Sequence, residues 1–330
     1  MLWYTMHKPK LAEIYETAKR QISAFPAPLD SFGLRYAELF NPVAHEEGRD
    51  YICTLLPFWL REETGITEAQ CAELALANIY GMLYYFIQDD LMDGKVASEG
   101  QKEPFALGHL LYHNMLRCFR RLFRSESMFW DFFDKYAKQW ADSVINEASG
   151  NYFITDRLQT SGKAAPLKIT VVGACLLGGC PERISGLEHA VDITLTTLQM
   201  LDDWNDWRED LDEGNYNGLL ALISAQYCSQ PAEKETQGAS SAWRPPSLKE
   251  AEAAIFIKGC MSRFAEYGEQ HHELLISIPK TPCELIAFHL YMSDTLRAIA
   301  EELLSRKVLA LGGGINRLFA SKMISDYPDI

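Results

Sequence analysis

Apolar residues recur at spacings of three and four along nearly the whole chain, and runs that alternate apolar with polar are almost absent. Such a chain can bury its apolar stripes only by packing helix on helix. The spacing predicts helices over 8–22, 46–60, 67–93, 107–123, 127–147, 164–178, 181–212, 247–275, 282–306 and 314–325. Glycines mark breaks at Asp93-Gly94, Gly178-Gly179, Gly214 and Gly312-Gly313-Gly314, where helices end readily. With 48% hydrophobic residues among 330, a large core is within reach. The clearest shift in composition, SQPAEKETQGASSAWRPPS over 229–247, is too short to separate domains of similar size and reads as a surface loop. The expectation is an all-α fold, one single-domain antiparallel helical bundle spanning 1–330.

The net charge of -14, with no cluster of Lys and Arg, argues against a nucleic-acid groove. An anionic substrate would need cations supplied locally. Eight cysteines (Cys53, Cys71, Cys118, Cys175, Cys180, Cys228, Cys260 and Cys283) are scattered without a CxxC pair and read as reduced, structural residues. MLWYTMHKPK has no secretory pattern, and the longest apolar stretch, 169–179, is about half of the ~20 residues a membrane helix needs. These features lead to the expectation of a soluble cytoplasmic protein. Two histidine pairs, His109/His113 and His271/His272, lack a third ligand at a zinc spacing and read as structural or solvated.

Acidic residues collect at the ends of two long apolar helices. In FIQDDLMDGK, Asp89, Asp90 and Asp93 stand at i, i+1 and i+4, with Asp89 and Asp93 on one face above Tyr85, Met82 and Asn78. Negative charge there opposes the helix macrodipole, so the cluster asks for open solvent or a cation. In TLQMLDDWNDWREDLDEGNYN, Asp202, Asp206 and Asp210 recur every four residues as one stripe, with Asp203 beside it. Trp204 and Trp207 lie off that face and suit packing. Hard oxygen ligands of this kind, one or two carboxylates per ion, select Mg2+, and two such helix ends in one bundle could face each other across a cavity mouth.

DDLMD followed by DDWND resembles the class I terpenoid enzymes of the isoprenyl diphosphate synthase-like type, whose aspartate-rich motifs hold three Mg2+ ions on a substrate diphosphate. GKAAPLKITVVGACLLGG looks like the lysine-bearing helix before the second motif of trans-prenyltransferases, and QMLDDWNDW has the glutamine three residues before the Asp pair. The resemblance covers about 78–217 well. It departs where elongating enzymes carry a Gly-Gly-Lys-Arg type segment and an Arg-Arg pair, since here SFGLRY and GKVASEGQ stand instead. Without that second anion site, ionisation of a single prenyl diphosphate remains. QDDLMDG with LDDWNDWREDLDEGNYN looks most like the bacterial large-terpene synthases, which use all-trans prenyl diphosphates of five to seven isoprene units.

The resemblance implies that Asp89, Asp90 and Asp93, with Asp202, Asp206 and Asp210, hold the Mg2+ ions, and that Lys163 contacts the diphosphate. Lys168 is a weaker diphosphate contact or a snorkelling side chain. Tyr85 fits either a cation-stabilising pocket wall or the core. Gly81, farther down, would leave room for a long chain. The products would be acyclic or lightly cyclised hydrocarbons. Two rival readings stay open: a prenyltransferase, elongating or of the squalene and phytoene coupling kind, and a non-catalytic subunit that regulates one. Peripheral membrane contact and a homodimer also stay open.

Overall fold

The computed structural model describes residues 2–44, 51–92, 102–147, 149–227 and 243–312, and among these every regular element is helical. By backbone contacts the chain divides into two compact units. The first comprises Met1–Lys138, Ala164–His189 and Lys280–Leu285, and the second Gln139–Lys163, Ala190–Pro279 and Ile286–Ile330. Among the described residues no helix is long and apolar enough to cross a membrane.

The first unit holds α1 (Lys8–Ile22), α2 (Leu29–Leu39), α3 (Tyr51–Trp59), α4 (Glu68–Met92), α5 (Lys102–Leu122), the start of α6 (Phe129–Ile145) and α7 (Ile169–Leu177). Helix α4 is its axis and packs against α1, α3, α5 and α7. Residues 74–83 of α4 are all buried, as a helix apolar on every side requires. Asn78 is the polar exception, and its bonds follow from a proline. Pro57 in α3 has no N–H to give to the Cys53 carbonyl one turn back, so that carbonyl accepts instead from Asn78 Nδ2 at 2.7 Å. Asn78 Oδ1 accepts the Thr170 hydroxyl of α7 at 3.0 Å. The amide is therefore a satisfied core group tying α3, α4 and α7. At Gly81 a Cβ would meet Met115 Sδ of α5 at 2.9 Å, so the space expected there for a substrate chain is taken by Met115.

The second unit holds α8 (Ile184–Glu213) from Ala190 onward, α9 (Gly218–Gln226), α10 (Cys260–Ser277) and α11 (Cys283–Gly312) from Ile286 onward. Helix α9 packs on α10 and on the short helix Tyr152–Thr155. The single helix expected over 247–275 is three pieces. A capping box of Ser247 and Glu250 starts Leu248–Glu252, a π-turn covers Ala253–Lys258, and Gly259 at φ 76° restarts the chain as α10. Inside this unit Thr197 Oγ1 of α8 is 3.0 Å from both His271 Nδ1 and His289 Nε2, and His289 Nδ1 is 3.2 Å from His272 Nδ1. Burial lowers all three imidazoles, His271 to about 4 and His289 to about 3. This is a neutral, hydrogen-bonded core network, in line with a structural role for His271 and His272.

Helix α1 matches its predicted span. The helix predicted over 164–178 starts later: Arg157–Lys168 is 3-10 helix, and the α-helical turns begin only at Ile169. Helices α2 and α9 escape the periodicity, α2 because it is short and interrupted by Gly33, α9 because GLLALI is apolar on every side and buried throughout. The helix expected over 314–325 and most of the loop at 229–247 lie outside the described residues, while 243–247 is extended without regular structure.

Candidate functional site

Each acidic helix end is built differently. In the first unit Asp89 and Asp90 stand in the last turn of α4, both half-buried, while Asp93 lies outside the described residues. Asp90 Oδ2 accepts the Tyr36 hydroxyl at 3.0 Å. Tyr36 belongs to α2, and its ring leads through Phe40 at 5.2 Å to Phe86 of α4, 4.8 Å beyond. An element that the spacing does not reveal thus orients one carboxylate of the motif. On the α5 side, the Tyr84 ring lies 5.0 Å from Tyr85 and 4.9 Å from Tyr112. Burial raises all three phenols, so each keeps its proton at neutral pH and offers a ring face without a nucleophilic oxygen.

Lys168, also in this unit, is the N-cap of α7 and only 4% exposed. Its ammonium lies 5.2 Å from the Tyr136 ring centre, a cation-π contact inside the unit. A surface hollow of about 820 Å3, lined by Pro26, Leu29, Phe105, His109 and their neighbours, contains none of the predicted site residues.

In the second unit the acids of α8 separate into two roles. Asp203 is buried, and its Oδ2 accepts the Gly218 N–H at 2.9 Å while its Oδ1 accepts from Gln199 Nε2 at 3.2 Å. Burial pushes this carboxyl well above the usual range; those two bonds oppose the rise and neighbouring Asp202 and Asp210 add to it. Asn217 completes the joint. Its side-chain oxygen caps α9 by accepting from Leu219 and Leu220 N–H, and its Nδ2 donates at 2.8 Å to both the Asp203 carbonyl and Asp210 Oδ2. Gly214, at φ 80°, makes the turn that brings Asn217 back along α8.

Asp202, Asp206 and Asp210 keep to the stripe face. Asp202 and Asp210 are half-buried and Asp206 is exposed. The Asp210 carboxyl is raised, first by burial and next by Asp206, while Asn217 and the Lys163 ammonium pull it back. Lys163 therefore stands near Asp210. It lies inside the 3-10 segment Arg157–Lys168, ahead of the α-helical turns that begin at Ile169. Its ammonium pairs with Glu147. Tyr152 stacks on Tyr216 at 4.2 Å beside this group, both phenols raised by burial.

Asp203, Asn217, Glu147 and Tyr36 are the residues of these neighbourhoods that spacing alone does not assign. Asn217 did leave a signal, an Asn immediately before an apolar run and after a glycine break, which is an N-cap pattern. Asp203 is off the stripe by one residue, about a quarter turn of helix. Glu147 and Tyr36 leave none, because each reaches its partner across elements.

The stripe is a hard-oxygen donor set with a single nearby lysine, which fits Mg2+, an ion commonly held by one or two carboxylates and completed by water and phosphate. Among the described residues no three His, Cys, Asp or Glu side chains stand together in a group that could hold a metal ion. No protein-family model matches the chain, and no curated protein matches it.

Proposed function

We propose that the chain is a Mg2+-dependent class I terpene synthase that ionises a long linear all-trans prenyl diphosphate, C25 to C35 favoured, and releases diphosphate with proton loss to give an acyclic or lightly cyclised hydrocarbon. The observation that supports it most is the division of labour on α8. Asp203 lies off the stripe and accepts the Gly218 N–H at the start of α9, Asp210 accepts from Asn217 there, and the face shared by Asp202, Asp206 and Asp210 has Lys163 near its Asp210 end.

In this reading Asp89, Asp90 and Asp93, with Asp202, Asp206 and Asp210, hold the metal, and Lys163 binds a diphosphate oxygen. Bound Mg2+ would supply Lewis-acid charge at the leaving group. Tyr36 fixes the rotamer of Asp90, and Asn217 that of Asp210, so both carboxylates are oriented before substrate arrives. Lys163 must exchange Glu147 for the substrate, an exchange of one anionic partner for another. The protonated phenols of Tyr84 and Tyr85 offer π-faces that stabilise positive charge without attacking it. No protein base is assigned for the final proton loss.

The purified chain, given C15, C20, C25 and C30 diphosphates with Mg2+, should release hydrocarbon detectable by gas chromatography, with the longer substrates preferred and chelator abolishing turnover. A strict C15 preference removes the large-terpene assignment and leaves the chemistry. Longer diphosphates formed on adding isopentenyl diphosphate would replace the reading by a prenyltransferase.

A further inference from the structure

The C-terminus of α7 brings two cysteines together that the sequence shows only as C-x4-C. The Gly179 N–H donates to the Leu176 carbonyl at 3.3 Å and the Cys180 N–H to the Cys175 carbonyl at 2.9 Å, with Gly179 at φ 71°. These are the paired bonds of a Schellman turn, which sets the residue after the left-handed position against the helix residue five before it. Here both residues are cysteine, and the motif commonly brings the side chains at these two positions into contact. Cys175 is fully buried and Cys180 half-buried.

The turn is held from both sides. A Cβ at Gly178 would fall 1.9 Å from the Thr64 carbonyl oxygen, so the backbone there admits glycine only. Arg183, one turn on, pairs with Glu63 at 2.9 Å and donates to the Lys280 carbonyl at 2.8 Å. Disulfides need side-by-side Cβ atoms and little backbone movement, and a pinned Schellman turn supplies the first without demanding the second. The other cysteines have different settings. Cys71 donates to the Pro57 carbonyl at 3.3 Å, Arg121 donates to Cys118 Sγ at 3.2 Å, and exposed Cys283 contacts Glu284 at 3.2 Å.

We propose that Cys175 and Cys180 form a dithiol modification site that closes to an intramolecular disulfide by exchange with a low-molecular-weight disulfide. The half-buried Cys180 thiolate attacks one sulfur of the reagent and expels one small thiolate, which takes a proton from solvent. Cys175 then gives up its proton, attacks Cys180 Sγ and expels the second small thiol. The reagent gains two electrons and two protons, and the protein loses the same, forming one S–S bond. Burial, with the neighbouring Cys180 adding to it, pushes the Cys175 thiol up to about 12, so closure is the slower step and accelerates with pH.

The full native chain is incubated with oxidised glutathione, quenched in acid, alkylated and digested with trypsin, which releases both residues in the peptide of residues 169–183, ITVVGACLLGGCPER. The expected product is that peptide lighter by two hydrogens and unalkylated, appearing before any other pair of cysteines links. Cys175→Ser should stop at glutathione on Cys180, and Cys180→Ser should leave Cys175 a thiol. Wild-type chain that ends with glutathione on Cys180 and Cys175 still alkylatable, or with both cysteines alkylated while Cys283 has reacted, overturns the proposal.

Discussion

The acids at the ends of α4 and α8 have nearly the same spacing but different company. On α4, Asp90 takes one hydrogen bond, from a tyrosine of a neighbouring helix. On α8, Asp203 and Asp210 are drawn into the start of α9 through Gly218 and Asn217. A carboxylate in the last turn of a helix is disfavoured by that helix's own dipole, and Asp210 stands there with Asn217 as donor, whereas Asp203 stands ten residues before the end of α8 and is held by the Gly218 N–H. The lesson is that an aspartate cluster is not one functional unit. In DDWND the second aspartate binds the start of α9, while the first and the last share another face of α8.

The largest test of that separation is a contrast in activity. Asp89→Ala and Asp202→Ala should each lower diphosphate release by at least about a hundredfold while circular dichroism stays helical, the scale expected when an electrostatic contact to a leaving group is lost. Full turnover in both variants would remove the metal reading from both helix ends. Asp203→Ala should instead show itself in urea unfolding, with a loss of about 1–3 kcal/mol from leaving the buried Gly218 N–H without an acceptor. Equal stability losses for Asp202→Ala and Asp203→Ala would erase the distinction drawn on α8.

The two helices also differ in how they respond to pH. The buried polar partner of α4 is the Asn78 amide, which does not titrate, whereas Thr197 of α8 is bonded to His271 and His289. Those imidazoles are neutral in the fold, with values near 4 and 3, and charge at about 6.5 once unfolded. Between these values the unfolded chain binds more protons, so stability is complete above about pH 6.5 and declines as pH falls, by up to about 1.4 kcal/mol per histidine per pH unit. The raised Asp203 carboxyl acts in the opposite sense, so urea midpoints at pH 7.5 and 5.5 are compared in Asp203→Asn, and a midpoint that rises on acidification there would contradict the histidine effect.

Smaller effects separate the supporting contacts. Asn217→Ala should cost about 1 kcal/mol through loss of the α9 cap. Tyr36→Phe should cost about 0.5–1.5 kcal/mol in stability, the range for one hydrogen bond, and reduce turnover less than Asp89→Ala does. A turnover loss as large as that of Asp89→Ala would move Tyr36 from positioning Asp90 to touching substrate.

Much of this architecture can be read along the chain. Apolar periodicity delivers α1 and the long helices α4, α5, α8 and α11 to within a few residues, because each needs only its own stripe. It overlooks α2, which is short and interrupted by Gly33, and α9, which is apolar on every side, and it joins 247–275 where Gly259 takes a left-handed conformation. The stripe Asp202, Asp206, Asp210 is legible for the same local reason as the helices. The commitment of Asp203 to α9 is not, since it depends on where a loop closes.

Composition and local spacing by themselves determined that the chain is helical and which aspartates share a face. Both depend on residues within a turn or two of each other. Only the tertiary structure decided that Asn78 is a satisfied core amide, that Met115 fills the space at Gly81, that Lys163 stands by the α8 stripe with Glu147 as partner, and that Cys175 meets Cys180. Those outcomes turn on which groups other segments bring within about 3–4 Å, a distance at which hydrogen bonds and packing act and over which one-dimensional spacing carries no information.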